Sequence, residues 1–511
     1  MKAEYEMNHR INKLSVLAMA LVLAGCTMAP DYERPSAPTS SSYPSGAAYA
    51  QGTVSAAQTA VADIGWRDFY RDPLLQQLLE VALANNRDLR KSVLDVEAAR
   101  AQYRIRRADM LPTLNVDAGA TVQRLPADVS PSGTTQITRS YDVNGAVSAW
   151  ELDLWGRVRS LSDRALATYL ALDETRIAAR LSLLAEVTNA YLTLRADQEL
   201  LQLAHDTLST QKRTYALTQA LFDAGNATQI DLRRAEIALR TAEVSQAAYT
   251  RVAAQDRNAL VLLLGQPLTA ELSASLDKAN TLPDDIIPSA LPAGLPAELL
   301  VRRPDVRAAE QQLRAANANI GAARAAFFPA ISLTGSAGTA SSSLDGLFEP
   351  GSAAWSFVPQ ISLPIFRGGA LRANLDLAQV QKRIEIANYE KAIQVAFREV
   401  ADGLAGRQTL DDQFRSEQLL VQASQANYEL ASQRFRAGID DNLAELDAQR
   451  ALFSAQQTLV QTRLARMSNL VNLYKALGGA DGQKALRLSH NSPGRLTPLS
   501  GDKVGNTWVE G

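Results

Sequence analysis

The sequence predicts a mainly α-helical chain with a smaller β component, built from two copies of one structural plan. Two long segments lack helix-breaking residues, which indicates helices far longer than those of ordinary globular domains. Shorter segments between them alternate apolar and polar residues with a period of two, which is typical of β-strands. The same order of segments occurs twice along the 511 residues, so the chain is internally duplicated.

The duplication is visible in two pairs of matching segments. QALFDAGNATQIDLRRAEIAL matches QRFRAGIDDNLAELDAQRALF, which places Gly225 and Gly438 at equivalent positions. Further upstream, Pro112 and Pro329 separate similar helical segments from similar alternating ones. The boundaries predicted from these matches are a first repeat at 65–270, a linker at 271–295, a second repeat at 296–478 and a mobile polar tail at 479–511.

Each repeat is predicted to contain one long helix followed by a shorter one. Residues 157–222 contain neither Gly nor Pro, and residues 370–435 contain only Gly403 and Gly406. At about 1.5 Å per residue, such a helix extends roughly 100 Å and needs partner helices along its length. Apolar residues recur along the first helix as in a coiled-coil seam. The seam residues are Ile177, Leu181, Leu184, Val187, Tyr191, Leu194 and Leu201.

Each repeat is also predicted to contain one pair of strands. The four strands are expected at 113–123, 139–150, 330–340 and 354–366. Strands of about ten residues can cross a bilayer, but a single-chain membrane barrel needs about eight of them, so spanning strands would require several chains to share one barrel. The alternative is a soluble antiparallel sheet that caps a helical bundle. Aromatic residues near the strand ends, which would suit a membrane interface, are Trp150, Trp155, Trp355 and Phe366.

The N-terminal residues have the pattern of an export signal. Basic Arg10 and Lys13 precede an apolar run at 14–24, which has the length of a signal peptide and is too short to span a bilayer. We therefore predict a signal peptide at 1–25. Two acidic residues dilute the basic start of this segment, which favours translation from Met7 over Met1.

The only cysteine of the chain, Cys26, follows the predicted signal directly. The letters LAGC that end there are similar to a bacterial lipobox, in which the signal is cleaved before the cysteine and its sulfur is lipidated. An unmodified thiol is the alternative. A covalent lipid on Cys26 is the only added group predicted, and the polar stretch at 26–64 is predicted to be an extended tether.

Composition and motifs argue against other classes of function. The chain has 52 basic and 54 acidic residues, interspersed rather than clustered, which does not favour a nucleic-acid partner. The three histidines lie in the signal, in a long helix and in the tail, and no hydrolase, phosphate-loop, zinc or dinucleotide motif is present. We therefore predict no catalytic residues, no metal ligands and no enzyme activity.

Several segments together resemble a known family. They are CTMAPDYERP, WRDFYRDPLLQQLLEVALANN, ELDLWGRVRS, LPIFRGG and VNLYKALGG. With the lipobox and the duplicated plan, they are similar to the TolC-like outer-membrane factors of tripartite efflux pumps, in the lipoprotein branch typified by OprM. The resemblance covers residues 60–478, nearly the whole mature chain.

The resemblance implies an architecture and a set of partners. Three chains would each contribute four strands to a twelve-stranded outer-membrane β-barrel, which continues into a long α-helical barrel in the periplasm. A periplasmic adaptor and an inner-membrane pump, often of the resistance-nodulation-division type, would feed drugs or other small toxic compounds into this passive exit duct.

The resemblance also places a gate at the periplasmic end, just past the glycine tips. There Leu443, Asp447 and Arg450 occupy positions like those of the family's constriction, on one helix face. In a trimer, Leu443 would form an apolar collar and Asp447 an acidic ring that prefers cations. Without the resemblance, an exposed Asp447–Arg450 pair of little consequence is the simpler interpretation.

The first repeat differs from the second at the expected gate. Arg234 stands at the position equivalent to Asp447, and Asp231 lies one turn before it. We expect Asp231 or Arg234 to pair across helices with Arg450 or Asp447 in a closed state. Gly225 and Gly438 are expected to form tight turns between helices, and the resemblance makes these tips the surface that the adaptor grips.

Two other functions remain open from the residues. One is a structural coiled-coil lipoprotein of the outer membrane without a pore, although matched strand pairs in both repeats have no use in a mere spacer. The other is a duct of the same architecture that serves protein secretion or metal export.

Overall fold

A computed structural model gives the fold of the chain and describes residues 27–49, 64–283, 286–288, 296–440 and 442–479. The predicted signal peptide, Met7 and Cys26 lie outside the described residues, as does the tail from 480 onward. The helices are α1 (Trp66–Phe69), α2 (Pro73–Asn85), α3 (Arg87–Ala108), α4 (Arg157–Asp223), α5 (Gln229–Leu264), α6 (Ala270–Lys278), α7 (Pro296–Arg302), α8 (Pro304–Ala325), α9 (Ala370–Arg436) and α10 (Asn442–Ala476). The strands are β1 (Leu114–Leu125), β2 (Gln136–Glu151), β3 (Ala330–Ser341) and β4 (Ala353–Ser362).

The two long helices predicted from the sequence are present. Helices α4 and α9 each contain 67 residues, so each is roughly 100 Å long at about 1.5 Å per residue. Gly403 and Gly406 do not interrupt α9. They lie where α10 packs closely, since a Cβ at Gly406 would be only 2.6 Å from the Oδ1 atom of Asn469.

The predicted seam of α4 is the centre of the core. Six of its seven residues are buried, and Leu201 is half-buried. The five seam residues from Leu181 to Leu194 pack with apolar residues of α2, α8, α9 and α10 into one large cluster. In that cluster Phe69 stacks on Tyr474 with ring centroids 4.0 Å apart, which joins the start of the described body to its last helix. Burial of apolar surface therefore holds the two repeats together.

The four strands form one antiparallel sheet in the order β1-β2-β3-β4. Residues paired across the sheet share a face because side chains alternate along each strand. One face carries the rows Leu114-Val147-Gly335-Phe357 and Val116-Gly145-Ala337-Trp355. The other face carries rows such as Asp117-Asn144-Gly338-Ala354 and Asn115-Ala146-Ser336-Ser356. The predicted period-two alternation thus builds one apolar face and one more polar face.

Strand limits differ from the sequence prediction in two places. The β1–β2 hairpin is longer than predicted, because β1 continues to Leu125 and β2 begins at Gln136. In contrast, β4 ends at Ser362, so the predicted extension to Phe366 is wrong. Pro364 lacks a backbone N–H for the sheet, and Gly369 at the start of α9 has a left-handed φ of 84°.

The predicted linker and tether also differ in detail. Helix α6 occupies the start of the linker predicted at 271–295. The described part of the tether, residues 27–49, contains no helix or strand, and it packs on the body instead of standing free. The Arg34 guanidinium contacts the buried Glu310 carboxylate at 2.9 Å, and Tyr43 stacks on Phe397 at 5.3 Å. We call residues 27–49 the N-terminal strap.

The helices pack side by side in a layer, and the order of neighbours changes along its length. Near the sheet the neighbours run α3-α4-α8-α9, and toward the glycine tips they run α5-α4-α10-α9. One edge of the layer is therefore α3 and α5, while the other edge is α9. Among the described residues, no helix is both long and apolar enough to cross a membrane.

Candidate functional site

The expected gate residues lie on the first turns of α10, next to the Gly438 tip. Asp447 and Arg450 form an ion pair on an exposed helix face. This is the local pair expected on sequence grounds, and in one chain an exposed pair of this kind contributes little to stability. Leu443 is half-buried and, with Arg450, lines a cleft. The structure therefore brings Leu443, Asp447 and Arg450 together at one end of the helical layer.

Asp231 is the third residue of α5 and completes a capping box with the N-cap residue Thr228. Its carboxylate accepts hydrogen bonds from the Thr228 hydroxyl at 2.6 Å and from the Thr228 backbone N–H at 3.0 Å. These bonds hold the pKa of Asp231 below its usual value, with a smaller contribution from the charge of Arg234. Asp231 is therefore the charged partner of Thr228 in the capping box that starts the helix.

The cross-helix pairing expected for the gate is not among the contacts of the described chain. Arg234 lies 3.9 Å from Asp231 on its own helix, and Arg450 contacts Asp447 on its own helix. Arg234 and Arg450 instead line the same cleft, of about 390 Å³, between α4, α5 and α10. Pairing across helices in a closed assembly stays a prediction.

Gly225 and Gly438 form the two tips. Both adopt left-handed φ angles, 77° and 72°, that favour glycine. The Gly225 N–H donates to Phe222 and the next N–H donates to Leu221, which is the hydrogen-bond pattern of a glycine helix end. A Cβ at either glycine would meet no heavy atom within 4 Å. The predicted turns are confirmed, and docking of an adaptor there stays a prediction.

The four aromatic residues expected at the membrane interface fall into two groups. Trp150 and Trp155 are half-buried, and their indole N–H groups donate to the carbonyls of Met110 and Pro329. They therefore bind the helical end of β2 to the segments that lead from α3 into β1 and from α8 into β3. Trp355 and Phe366 are 80% and 88% exposed. Trp355 lies near the start of β4, and Phe366 lies between the end of β4 and the start of α9.

Two polar pairs between helices were not predicted from the sequence. The Gln211 amide on α4 donates to Gln449 on α10 at 2.8 Å, and both side chains are buried. Asp197 on α4 interacts with Asp256 on α5, and burial together with that partner raises the pKa of Asp197 to about 7. Neither pair has a sequence motif, because pairing across long helices depends on their relative register.

The geometry defines a class of protein. A sheet with one apolar and one polar face, joined to helices of roughly 100 Å, can line a long aqueous path between a membrane and a distant partner.

Comparison with known proteins identifies the family. Residues 78–266 and 295–479 match the model of the outer membrane efflux protein family, one match in each repeat.

Individual relatives agree with this family match. The chain is 51% identical over 466 residues to the toluene efflux pump outer membrane protein TtgF of Pseudomonas putida, a match that covers 91% of this chain and 96% of TtgF. It is 48% identical over 467 residues to the antibiotic efflux pump outer membrane protein ArpC of Pseudomonas putida, covering 91% and 95% of the two chains.

A solved structure shows the same architecture. The open state of the MtrE outer membrane channel of Neisseria gonorrhoeae superposes with a TM-score of 0.79 at 41% identity, covering 89% of this chain and 98% of that one. The chain belongs to the outer membrane efflux protein family, and it is an exit duct of the outer membrane.

Proposed function

We propose that three copies of the chain assemble into one duct, with the apolar face of the twelve-stranded barrel toward lipid and the polar face toward the channel. The observation that carries this proposal is that both edges of the sheet, and both edges of the helical layer, are left exposed in the single chain. Within the described residues, β1 and β4 each have one unpaired edge. An unpaired strand edge pairs readily with another chain.

The helical layer has matching unfinished edges. On the α5 side, Ile230, Ile237 and Val244 recur every seven residues and are exposed in the single chain. On the opposite side, α9 exposes Leu377 and Leu420. Two different edges that meet head to tail generate a closed ring when the rotation closes. Three chains give twelve strands, above the minimum of about eight for a membrane barrel.

The assembled duct would work with partners rather than by catalysis. The Gly225 and Gly438 tips would meet a periplasmic adaptor. The adaptor would connect the duct to an inner-membrane pump of the resistance-nodulation-division class, which the resemblance implies. The cargo would be small toxic compounds, in line with the toluene and antibiotic efflux pumps to which the relatives TtgF and ArpC belong. Cys26 would carry a covalent lipid, and no other cofactor is proposed.

The gate would be the ring formed by Leu443 and Asp447 of three chains. Single-channel conductance of the purified native oligomer in a planar bilayer tests this directly. We expect low conductance from the wild type and a several-fold increase from Leu443→Ala/Asp447→Ala, because the collar and the acidic ring are both removed. A matched control is Leu344→Ala/Asp345→Ala, in the β3–β4 loop at the far end of the sheet.

Two outcomes would contradict the proposal. Oligomers of the correct size without any conductance in either variant would favour the structural lipoprotein without a pore. Equal increases in the gate variant and in the loop control would show that the constriction lies elsewhere.

A separate test concerns the lipid anchor. Cys26→Ser behind a signal without a lipobox should still assemble and conduct, and accumulation of soluble monomer would refute this.

A further inference from the structure

The cleft between α4, α5 and α10 has walls of contrasting character. The α5 wall combines small residues such as Ala238 and Ala242 with Ile237, whereas the α10 wall carries Leu443 and Phe453. The Thr241 hydroxyl donates to the carbonyl of Ile237 on its own helix. Since such hydroxyls are already satisfied, the walls present mainly apolar surface.

Two cations stand on opposite walls of this cleft. Arg234 comes from α5 and Arg450 comes from α10. The nearest carboxylate to Arg234 is Asp231 at 3.9 Å, and that carboxylate is already hydrogen-bonded to Thr228. The partner of Arg450 is the exposed Asp447, and exposed pairs of this kind are weak. Both guanidinium groups therefore keep capacity for an added anion.

A buried amide adds a polar group to the cleft. The Gln211 side chain, in a residue that is 4% exposed, lines the cleft and donates to Gln449. Its Oε1 atom is buried and has no hydrogen-bond partner among the described residues. A buried acceptor without a donor is costly, so a ligand that brings a hydroxyl or N–H group to this atom would be favoured.

We propose that the cleft binds a small aromatic anion, with its ring against the apolar walls and its acidic group between Arg234 and Arg450. The volume of about 390 Å³ is at the lower end of the range for small-molecule sites and suits a two-ring compound. A cation is disfavoured by the two arginines. A hydroxyl on the far ring supplies the donor that the Gln211 acceptor lacks.

Binding has a mechanical consequence that rests on the proposed gate. Arg234 belongs to the α4–α5 pair, while Arg450 belongs to α10, the helix that carries Leu443 and Asp447. An anion held by both arginines joins α10 to α5 at the level of the gate. It stabilises a helix arrangement in which α10 stays beside α5 over one in which α10 moves away, and we assign that arrangement to the closed duct.

Calorimetric titration of the purified native oligomer tests the binding site. The probe is 6-hydroxynaphthalene-2-sulfonate, with titration into detergent alone subtracted. We expect saturable binding of one probe per chain, weakened about tenfold by Arg234→Gln and by Arg450→Gln, since each removes one charged contact. The matched control is Arg233→Gln, because Arg233 is the neighbouring residue, pairs with Glu236 and does not line the cleft.

Two further comparisons test the chemistry. Naphthalene-2-sulfonate, which lacks the hydroxyl, should bind several-fold more weakly to the wild type, and Gln211→Met should abolish this difference. A naphthalene that carries an ammonium group should not bind. Equal binding of the cation and the anion, or unchanged affinity in both arginine variants, would overturn the site.

Conductance separates this inference from the proposed function. Leu443→Ala/Asp447→Ala opens the duct, if the gate is as proposed, without removing either arginine. In the wild type the probe should lower conductance further, and this effect should be lost in Arg234→Gln but kept in Arg233→Gln. Probe binding without any change in conductance would overturn the role in closure. Failure of the double variant to conduct would refute the gate while the calorimetric result still decides the site.

Discussion

The N-terminal strap allows a quantitative prediction, because one buried carboxylate makes several of its contacts with the body. Glu310 on α8 accepts hydrogen bonds from the Arg34 guanidinium at 2.9 to 3.1 Å and from the Tyr32 hydroxyl at 3.2 Å. Arg314 contacts the same carboxylate at 3.0 Å. Glu310→Gln keeps the size of the side chain but removes its charge, so it weakens every one of these contacts.

The expected size follows from the exposure of the partners. A hydrogen bond to a charged group contributes about 1.5–3 kcal/mol. The Glu310 side chain is 6% exposed but that of Arg34 is 46% exposed, so solvent screens part of the interaction. We therefore expect Glu310→Gln to lower the free energy of strap opening by about 2 kcal/mol. Because about 1.4 kcal/mol is a factor of ten in an equilibrium constant, the strap should open roughly 30-fold more often.

Hydrogen–deuterium exchange of the native oligomer measures this opening. Peptides from the strap should exchange roughly 30-fold faster in Glu310→Gln, while peptides from α4 stay unchanged. The control is Glu80→Gln, which breaks an ion pair with Arg67 whose two side chains are both more than half exposed. An increase below about threefold in Glu310→Gln, or an equal increase in the control, would refute the reasoning.

The same carboxylate makes docking of the strap sensitive to acid. Burial alone would raise the pKa of Glu310, but its bonds to Arg314 and Arg34 outweigh burial, and the pKa lies below its usual value. The stabilisation is therefore present above the ordinary Glu pKa of about 4.3 and is lost as pH falls through the lower folded value. Hydrogen exchange of strap peptides should therefore show this loss of stabilisation on acidification in the wild type. The same peptides in Glu310→Gln should not show it.

Two other predictions concern the helices. The raised pKa of Asp197, about 7, arises from burial and from Asp256, so its contribution to stability is present below the unfolded pKa and is lost as pH rises through 7. Asp197→Asn should raise the thermal midpoint more at pH 8 than at pH 5, and an equal change at both would contradict the shift. Gly265→Ala should destabilise far more than Gly225→Ala in thermal unfolding, although both glycines have left-handed φ angles. A Cβ at Gly265 would lie 2.3 Å from the Asn85 carbonyl oxygen, whereas one at Gly225 meets nothing. Equal midpoints would show that the contact relaxes easily.

The sequence predicted the elements that repeat a simple period. The absence of Gly and Pro over long segments predicted α4 and α9, and the seam from Ile177 to Leu194 is buried as predicted. The alternation in β1 predicted which residues share a face. Exact strand ends were less predictable, because they depend on pairing partners and on local breakers such as Pro364.

The candidate site was predicted in part. Leu443, Asp447 and Arg450 are together on one helix face because their spacing alone determines it. The convergence of Arg234 and Arg450 on one cleft, and the buried Gln211–Gln449 pair in its lining, had no signal in the sequence. Residues more than two hundred positions apart meet only when α4, α5 and α10 pack in a particular register.

By itself, the sequence determined the duplicated plan, the long helices, the two-faced strands and the family. Each of these follows from local periodicity or from contiguous motifs. Only the tertiary structure decided that the strap docks on Glu310, that β4 ends at Ser362, and that two arginines face one cleft. These features depend on contacts between distant segments, whose energies are set by packing and burial rather than by any local pattern.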